Sequence, residues 1–183
     1  CNSMQPGFLA RRLRALRVCA IPVECKVMKK SESAGREQLL QRVRALVEQG
    51  KADEALKLIK SVDGTDPVLM NAAGVCYLRA GRPAKAVEVF HRLCVGDGVG
   101  LRAGVSPLHV ANFAAALLLS GNLNGCRHKL RLVDRSHPVA VQLHSAIARW
   151  EGSLGAWQRV LLRLGMFEPE RPIGLDGPAG AFV

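Results

Sequence analysis

The sequence predicts an all-α fold, an α-α superhelix of about four helix pairs. Three observations carry that prediction. Of 183 residues, 49% are hydrophobic but only 4% aromatic, and Ala, Leu, Arg and Val dominate; this composition suits helices better than a β-sandwich. Apolar residues recur at helical spacing along residues 36–164, the mark of helices with one buried face. Four glycines, Gly50, Gly81, Gly121 and Gly152, each end one such pattern and precede the next, at spacings of 31, 40 and 31 residues. Glycine is the residue a left-handed helix terminus prefers. The length suits one domain with its own core. The apolar fraction excludes a wholly disordered chain, and no run approaches the roughly 18–20 apolar residues that a membrane-spanning helix needs.

Three segments follow: a basic leader over 1–34, a helical repeat domain over 35–165 and a Pro/Gly-rich tail over 166–183. The formal net charge is +11. Arg11, Arg12, Arg14, Arg17 and Lys26 against Glu24 give residues 1–27 a net +4, and residues 28–183 carry +7. Four readings fit the leader: an Arg-rich targeting presequence, a basic arm for nucleic acid, a lipoprotein end at Cys1-Asn2-Ser3, or residues preceding a native start at Met28. In each, residues 1–34 are expected to be poorly ordered.

The repeat domain divides into helix pairs at 36–49 with 52–61, 67–80 with 83–94, 107–120 with 122–134, and 138–150 with 153–164. Pro67, Pro83, Pro107 and Pro138 open helices at a first-turn position, where a missing N–H costs nothing. In the second pair, Met70, Ala73, Gly74 and Tyr77 share a face, as do Ala86, Phe90 and Leu93. Small residues at Gly74 and Ala86 allow a close approach of the two helices. The 40-residue interval contains an insertion over 95–106, expected to be a flexible loop.

This pattern resembles the tetratricopeptide repeat. The second unit carries the resemblance through Ala73, Gly74, Tyr77, Ala86, Phe90 and Leu93. The first follows through Leu39, Val43, Leu46, Ala55, Ile59 and Pro67. The third matches through Val110, Phe113, Ala114, Leu117, Cys126, Leu130 and Pro138, and the fourth through Val141, Ser145, Ala148, Leu161 and Leu164. Trp157 stands where the fourth unit calls for a small residue, so the last pair is expected to be a divergent cap. A helical bundle that is not a solenoid would use the same amphipathic helices.

The resemblance implies a concave groove lined by the first helix of each unit. Its lining would be Leu40, Arg44 and Val47; then Val68, Asn71, Val75, Leu78 and Arg79; then Leu108, Ala111, Ala115 and Leu118; then Val139, Gln142, Ala146 and Arg149. In such a groove Asn71 and Gln142 can hydrogen-bond a peptide backbone, and the arginines can attract acidic side chains. Some family members clamp a terminal carboxylate with Lys, Asn and Arg, but only Asn71 matches here. Packing between units is the competing role for Val75, Leu78, Ala115 and Leu118.

No enzymatic constellation is present. The sequence lacks G-x-S-x-G, H-E-x-x-H and G-x-x-x-x-G-K-[ST]. Gly96-Asp97-Gly98-Val99-Gly100 follows a helix and leads into more loop, unlike a dinucleotide-binding turn. His91 and Cys94 would supply only two metal ligands, so neither a metal nor a cofactor is expected. Cys76, Cys94 and Cys126 lie in apolar helical patterns and read as buried reduced thiols of a cytoplasmic protein. Arg127, Arg131 and Arg135 recur every four residues, with Lys129 beside them, and form a basic patch on the helix over 122–134. That patch is either a solvated outer face or a dock for an acidic surface or phosphate.

The tail contains Phe167, Ile173, Leu175 and Phe182, more apolar residues than a linker needs. It is expected to be extended and to pack on the last helices, covering Trp150 and Trp157. The expected function is a non-catalytic protein-protein interaction module (scaffold, adaptor or chaperone-like) that holds a peptide or helix in the groove. The alternative is a nucleic-acid-associated protein using the Arg127, Arg131, Arg135 stripe.

Overall fold

A computed structural model describes residues 23–60, 66–96, 100–166 and 172–182, with side chains from residue 34 onward. Among these the protein is all-helical. Eight helices follow in order: α1 Val23–Glu48, α2 Ala52–Lys60, α3 Pro67–Arg79, α4 Pro83–Cys94, α5 Pro107–Leu119, α6 Leu123–Leu130, α7 Pro138–Ser153 and α8 Ala156–Arg163. The chain divides into two compact units, Cys1–Gly35 and Arg36–Val183. The described part of the first is the opening stretch of α1. The second contains the rest.

Local chemistry explains most boundaries. Pro67, Pro83, Pro107 and Pro138 open α3, α4, α5 and α7. The Asp66 carboxylate accepts from the Val68 N–H at 2.8 Å, and the Asn122 side chain accepts from Gly125 N–H at 2.7 Å. Both satisfy N-terminal donors that a helix leaves unpaired. Gly50, Gly81 and Gly121 adopt φ of 77°, 69° and 89°, the left-handed geometry expected of them at the helix ends.

Three boundaries differ from expectation. Helix α1 covers Val23–Glu48, where the first helix was expected over 36–49. No proline interrupts residues 23–48, and a single interior glycine, Gly35, is tolerated in a helix. Residues 1–22, and with them the arginines at 11–17, lie outside the described residues. Helix α6 stops at Leu130 instead of 134. The Asp134 carboxylate accepts from both the Ser136 N–H and the Ser136 hydroxyl at 2.7 Å, a local turn that competes with continued helix. Gly152 lies within α7, and the turn falls at Leu154 and Gly155, where the Gln158 side chain accepts from Gly155 N–H at 3.0 Å.

Consecutive helices from α2 to α6 pack on one another, while α3, α5 and α7 form an inner row. Helix α1 joins through Leu40, Val43 and Val47, which pack with Leu56, Ile59, Leu69 and Ala72. Within the larger core the Phe90 ring lies against Gly74; a Cβ there would stand 2.7 Å from the ring's Cε atoms. The small residue at Gly74 therefore permits the contact between α3 and α4. The insertion is pinned at its base: Val95 and Leu101 form an antiparallel bridge, and Arg102 N–H donates to the Cys94 carbonyl at 2.8 Å. Residues 97–99 of the glycine-rich stretch lie outside the described residues. No described helix is long and apolar enough to cross a membrane.

Candidate functional site

The inner helices place a row of polar side chains along one face, and residues 172–182 lie across it. Helix α7 supplies Gln142, whose Nε2 donates to the Asp176 carbonyl at 2.8 Å, and Arg149, which forms an ion pair with the Asp176 carboxylate. Helix α5 supplies Asn112. Its Nδ2 donates to the Ala181 carbonyl at 2.7 Å while its Oδ1 accepts from the Ala181 N–H at 2.9 Å. One side-chain amide thus pairs both main-chain groups of one residue, as a neighbouring strand would.

Helix α3 contributes twice. Asn71 Nδ2 donates to the Ala181 carbonyl at 3.4 Å. Arg79 donates from Nε to the Ala179 carbonyl at 2.7 Å and from Nη2 to the Gly180 carbonyl at 3.2 Å. At α1 the Arg44 guanidinium lies over the Phe182 ring, 5.8 Å from its centroid, within range of a cation-π attraction. The segment therefore meets α7, α5, α3 and α1. Ten residue steps reach up to about 33 Å, enough to cross several inner helices spaced about 8–10 Å apart.

These contacts read the main chain. Carbonyls of Asp176, Ala179, Gly180 and Ala181 accept from side chains, and the Ala181 N–H donates to one. Asn71 and Asn112 are fully buried, and Asn112 Nδ2 also donates to Asn71 Oδ1 at 2.8 Å. A buried amide needs such partners, since an unpaired one costs about 1–3 kcal/mol.

The described part of the tail, residues 172–182, accordingly meets α7 but leaves Trp157 of α8 uncovered. Trp157 is 71% exposed, and within α8 only Leu162 is buried. Ile173 of the tail is buried in the main core, and Leu175 and Phe182 pack partly against it. The physical reason is the match between open main-chain groups of an extended segment and the amides of α3 and α5. Helix α8 has no comparable donors facing the segment among the described contacts.

Of the residues expected along the groove, Arg44, Asn71, Val75, Leu78, Arg79, Gln142 and Arg149 meet the segment. Leu40 packs in the cluster of α1, α2 and α3. Ala111 and Leu118 are fully buried in the main core. The α5 residue that reaches the segment is Asn112, which sequence reasoning missed. Counted from the helix-opening prolines, Asn71 corresponds to Ala111, and Asn112 lies one residue further on. The available signal was an amide at the middle of an otherwise apolar helix.

A second feature lies between α6 and α7: an open cleft of about 660 Å³, lined by Arg127, Arg131, Arg135, His144, Ser145 and Glu151 among others. Arg127 forms an ion pair with Glu151. Because α6 ends early, Arg135 stands on a turn rather than on a common helix face, yet the cleft still gathers the three arginines. Lys129 leaves the patch and lies 5.4 Å from the centroid of the Phe113 ring. The His91 ring also packs against Phe113 in a T-shaped arrangement with centroids 6.3 Å apart, while Cys94 is fully buried. No cluster of three or more metal-ligating side chains occurs among the described residues.

Burial sets the chemistry of the thiols. It pushes Cys76 and Cys126 up to about 12 and Cys94 up to about 11, overriding the opposing pull of Arg79, Arg127, and Lys129 with Arg102. A thiol that stays protonated is neither a nucleophile nor a metal ligand. Burial likewise lowers His109. No family model, curated protein or solved structure matches this chain.

Proposed function

We propose that this chain is a non-catalytic interaction module, a small tetratricopeptide-like scaffold or adaptor whose inner-helix groove binds an extended peptide of a protein partner. The observation that supports it is the set of side chains, Asn71, Arg79, Asn112 and Gln142, that engage the main chain of residues 172–182. Main-chain recognition suits a peptide ligand, because every peptide offers the same carbonyls. The three buried, protonated thiols fit a reducing, cytoplasmic setting. Affinity capture tests the reading. Arg79 and Gln142 reach the groove without belonging to the core, so Arg79→Ala and Gln142→Ala leave the fold intact. The parent is expected to recover proteins that both variants lose. Identical recoveries from all three chains would overturn the groove assignment.

A second reading, a nucleic-acid-associated surface, is favoured by the gathering of Arg127, Arg131 and Arg135 at one cleft. Against it, Glu151 neutralises Arg127, and no Phe, Tyr or Trp lines the cleft for base stacking. An electrophoretic shift with RNA and duplex DNA decides between the two readings. Retardation that weakens steeply with salt and disappears in Arg131→Ala/Arg135→Ala supports the second; unshifted probes at near-physiological salt exclude it.

A further inference from the structure

We infer that residues 172–182 are a displaceable internal ligand that closes the groove in cis. The external ligand that replaces them is an extended peptide with a glycine between two small residues, followed by an aromatic. This rests on the groove being a peptide site, as proposed above. It adds the side-chain pattern that the site selects and the device that regulates access.

The selectivity comes from two positions. Gly180 has φ +75°, and a Cβ there would stand 3.1 Å from Leu78 Cδ1 and 3.3 Å from Val75 Cγ2. The left-handed conformation disfavours any larger residue, and its Cβ would also have to push back the Leu78 and Val75 methyl groups. Two residues on, Phe182 carries its ring to the Arg44 guanidinium and packs against both apolar clusters. Ala179 and Ala181 flank the glycine and are half-buried. Apart from the buried Ile173 side chain and the exposed Arg149–Asp176 pair, the remaining fixings are to main-chain groups, which any peptide of this pattern supplies equally.

The hold is also built to be exchanged. Within 172–182 only Ile173 and Gly180 are buried, whereas Asp176, Gly177 and Pro178 are exposed. The Arg149–Asp176 pair joins two solvent-exposed side chains, so it contributes little. An empty groove would leave the buried amides of Asn71 and Asn112 without their main-chain partners, which favours an occupant at all times. A tethered segment has an effective concentration in the millimolar range. A free peptide with an affinity of about 10–100 µM for the open groove then binds the closed one about tenfold to a hundredfold more weakly.

The test uses full-length chains and a fluorescein-labelled synthetic peptide of residues 172–182, read by fluorescence anisotropy. Gly180→Val and Asp176→Arg each alter the segment and leave the groove walls unchanged. If Gly180→Val does not fold, Asp176→Arg still reports. The expected result is at least tenfold tighter peptide binding by folded Gly180→Val than by the parent, and a smaller tightening, about twofold to fivefold, by Asp176→Arg. A peptide carrying the same glycine-to-valine change is expected to lose binding. Equal affinities for parent and variants would overturn the internal-ligand inference while leaving the groove a peptide site. Absence of binding to every chain would overturn the peptide-site reading itself. Sedimentation of the parent adds one more outcome: a dimer that dissociates in excess peptide would show the segment exchanged between copies, and so overturn closure in cis.

Discussion

Asn112 donates a hydrogen bond to Asn71 across the α3–α5 contact at 2.8 Å, and both amides are fully buried. The pair joins two helices at the point where the tail arrives, because Asn112 uses the same Nδ2 for the Ala181 carbonyl. Replacing Asn112 strands Asn71 Oδ1 and the Ala181 N–H, and leaves the Ala181 carbonyl only the long bond from Asn71. Asn112→Ala is therefore expected to destabilise the protein by about 2–3 kcal/mol, lowering Tm by roughly 4–12 °C for a domain of this size. Asn71→Ala is expected to cost less, since its own donation to Ala181 is long at 3.4 Å. Thermal melts that reverse this order would contradict the assignment of Asn112 as the central residue.

The Phe90 ring occupies the space that a side chain at position 74 would need. Alanine is the better helix former by about 1 kcal/mol, yet Gly74→Ala is expected to destabilise by about 1–3 kcal/mol through overpacking. Adding Phe90→Leu to Gly74→Ala is expected to recover part of that loss. A double-mutant cycle by urea unfolding measures the coupling, and additive effects would refute the contact.

His109 is buried in α5, its Nε2 has no hydrogen-bond partner, and burial lowers its pKa below the ordinary 6.5. Below about pH 6.5 the unfolded chain binds a proton at this histidine that the folded chain refuses. Stability therefore falls as pH drops from 6.5 toward the lowered folded value, and His109 contributes no pH dependence above 6.5. Urea midpoints at pH 7.5 and pH 5 check this. The parent is expected to lose more stability over that interval than His109→Gln, and equal losses would refute it.

Cys76, Cys94 and Cys126 are buried and held protonated. In a chain with Cys1, Cys19 and Cys25 changed to serine, a thiol-specific chromogenic reagent at pH 8 is expected to react only as fast as the fold opens. All three thiols react at once in denaturant. Rapid stoichiometric labelling of the native chain would show that one of them is exposed.

Helix starts were the most legible part of the sequence. A proline at a first helical turn and a glycine at a left-handed terminus act through the geometry of their own residue, so Pro67, Pro83 and Gly81 could be placed without knowing the fold. Helix ends governed by competing side chains were not. Past Leu130 the chain tightens into shorter turns, with Leu132 N–H bonded to the Lys129 carbonyl and Val133 N–H to the Leu130 carbonyl, and Asp134 then turns onto Ser136; helical spacing of the arginines alone gives no sign of either. The expectation at Gly152 failed for a related reason: a glycine is compatible with a helix interior as well as with a terminus.

The candidate groove was legible as a row of residues and illegible as a site. The repeat resemblance implied that Asn71, Arg79, Gln142 and Arg149 line one face of the first helices, and these four do meet the segment. A shift of one residue in α5 sufficed to hide Asn112. The sequence by itself determined that the chain forms paired amphipathic helices around a low-aromatic core, since propensity, capping and apolar spacing are local. Only the tertiary structure decided where the tail goes. Its destination depends on pairing main-chain groups at 176–182 with amides and guanidinia at 71, 79, 112 and 142, distant in sequence, and with Leu78 and Val75 leaving room for a glycine alone at position 180.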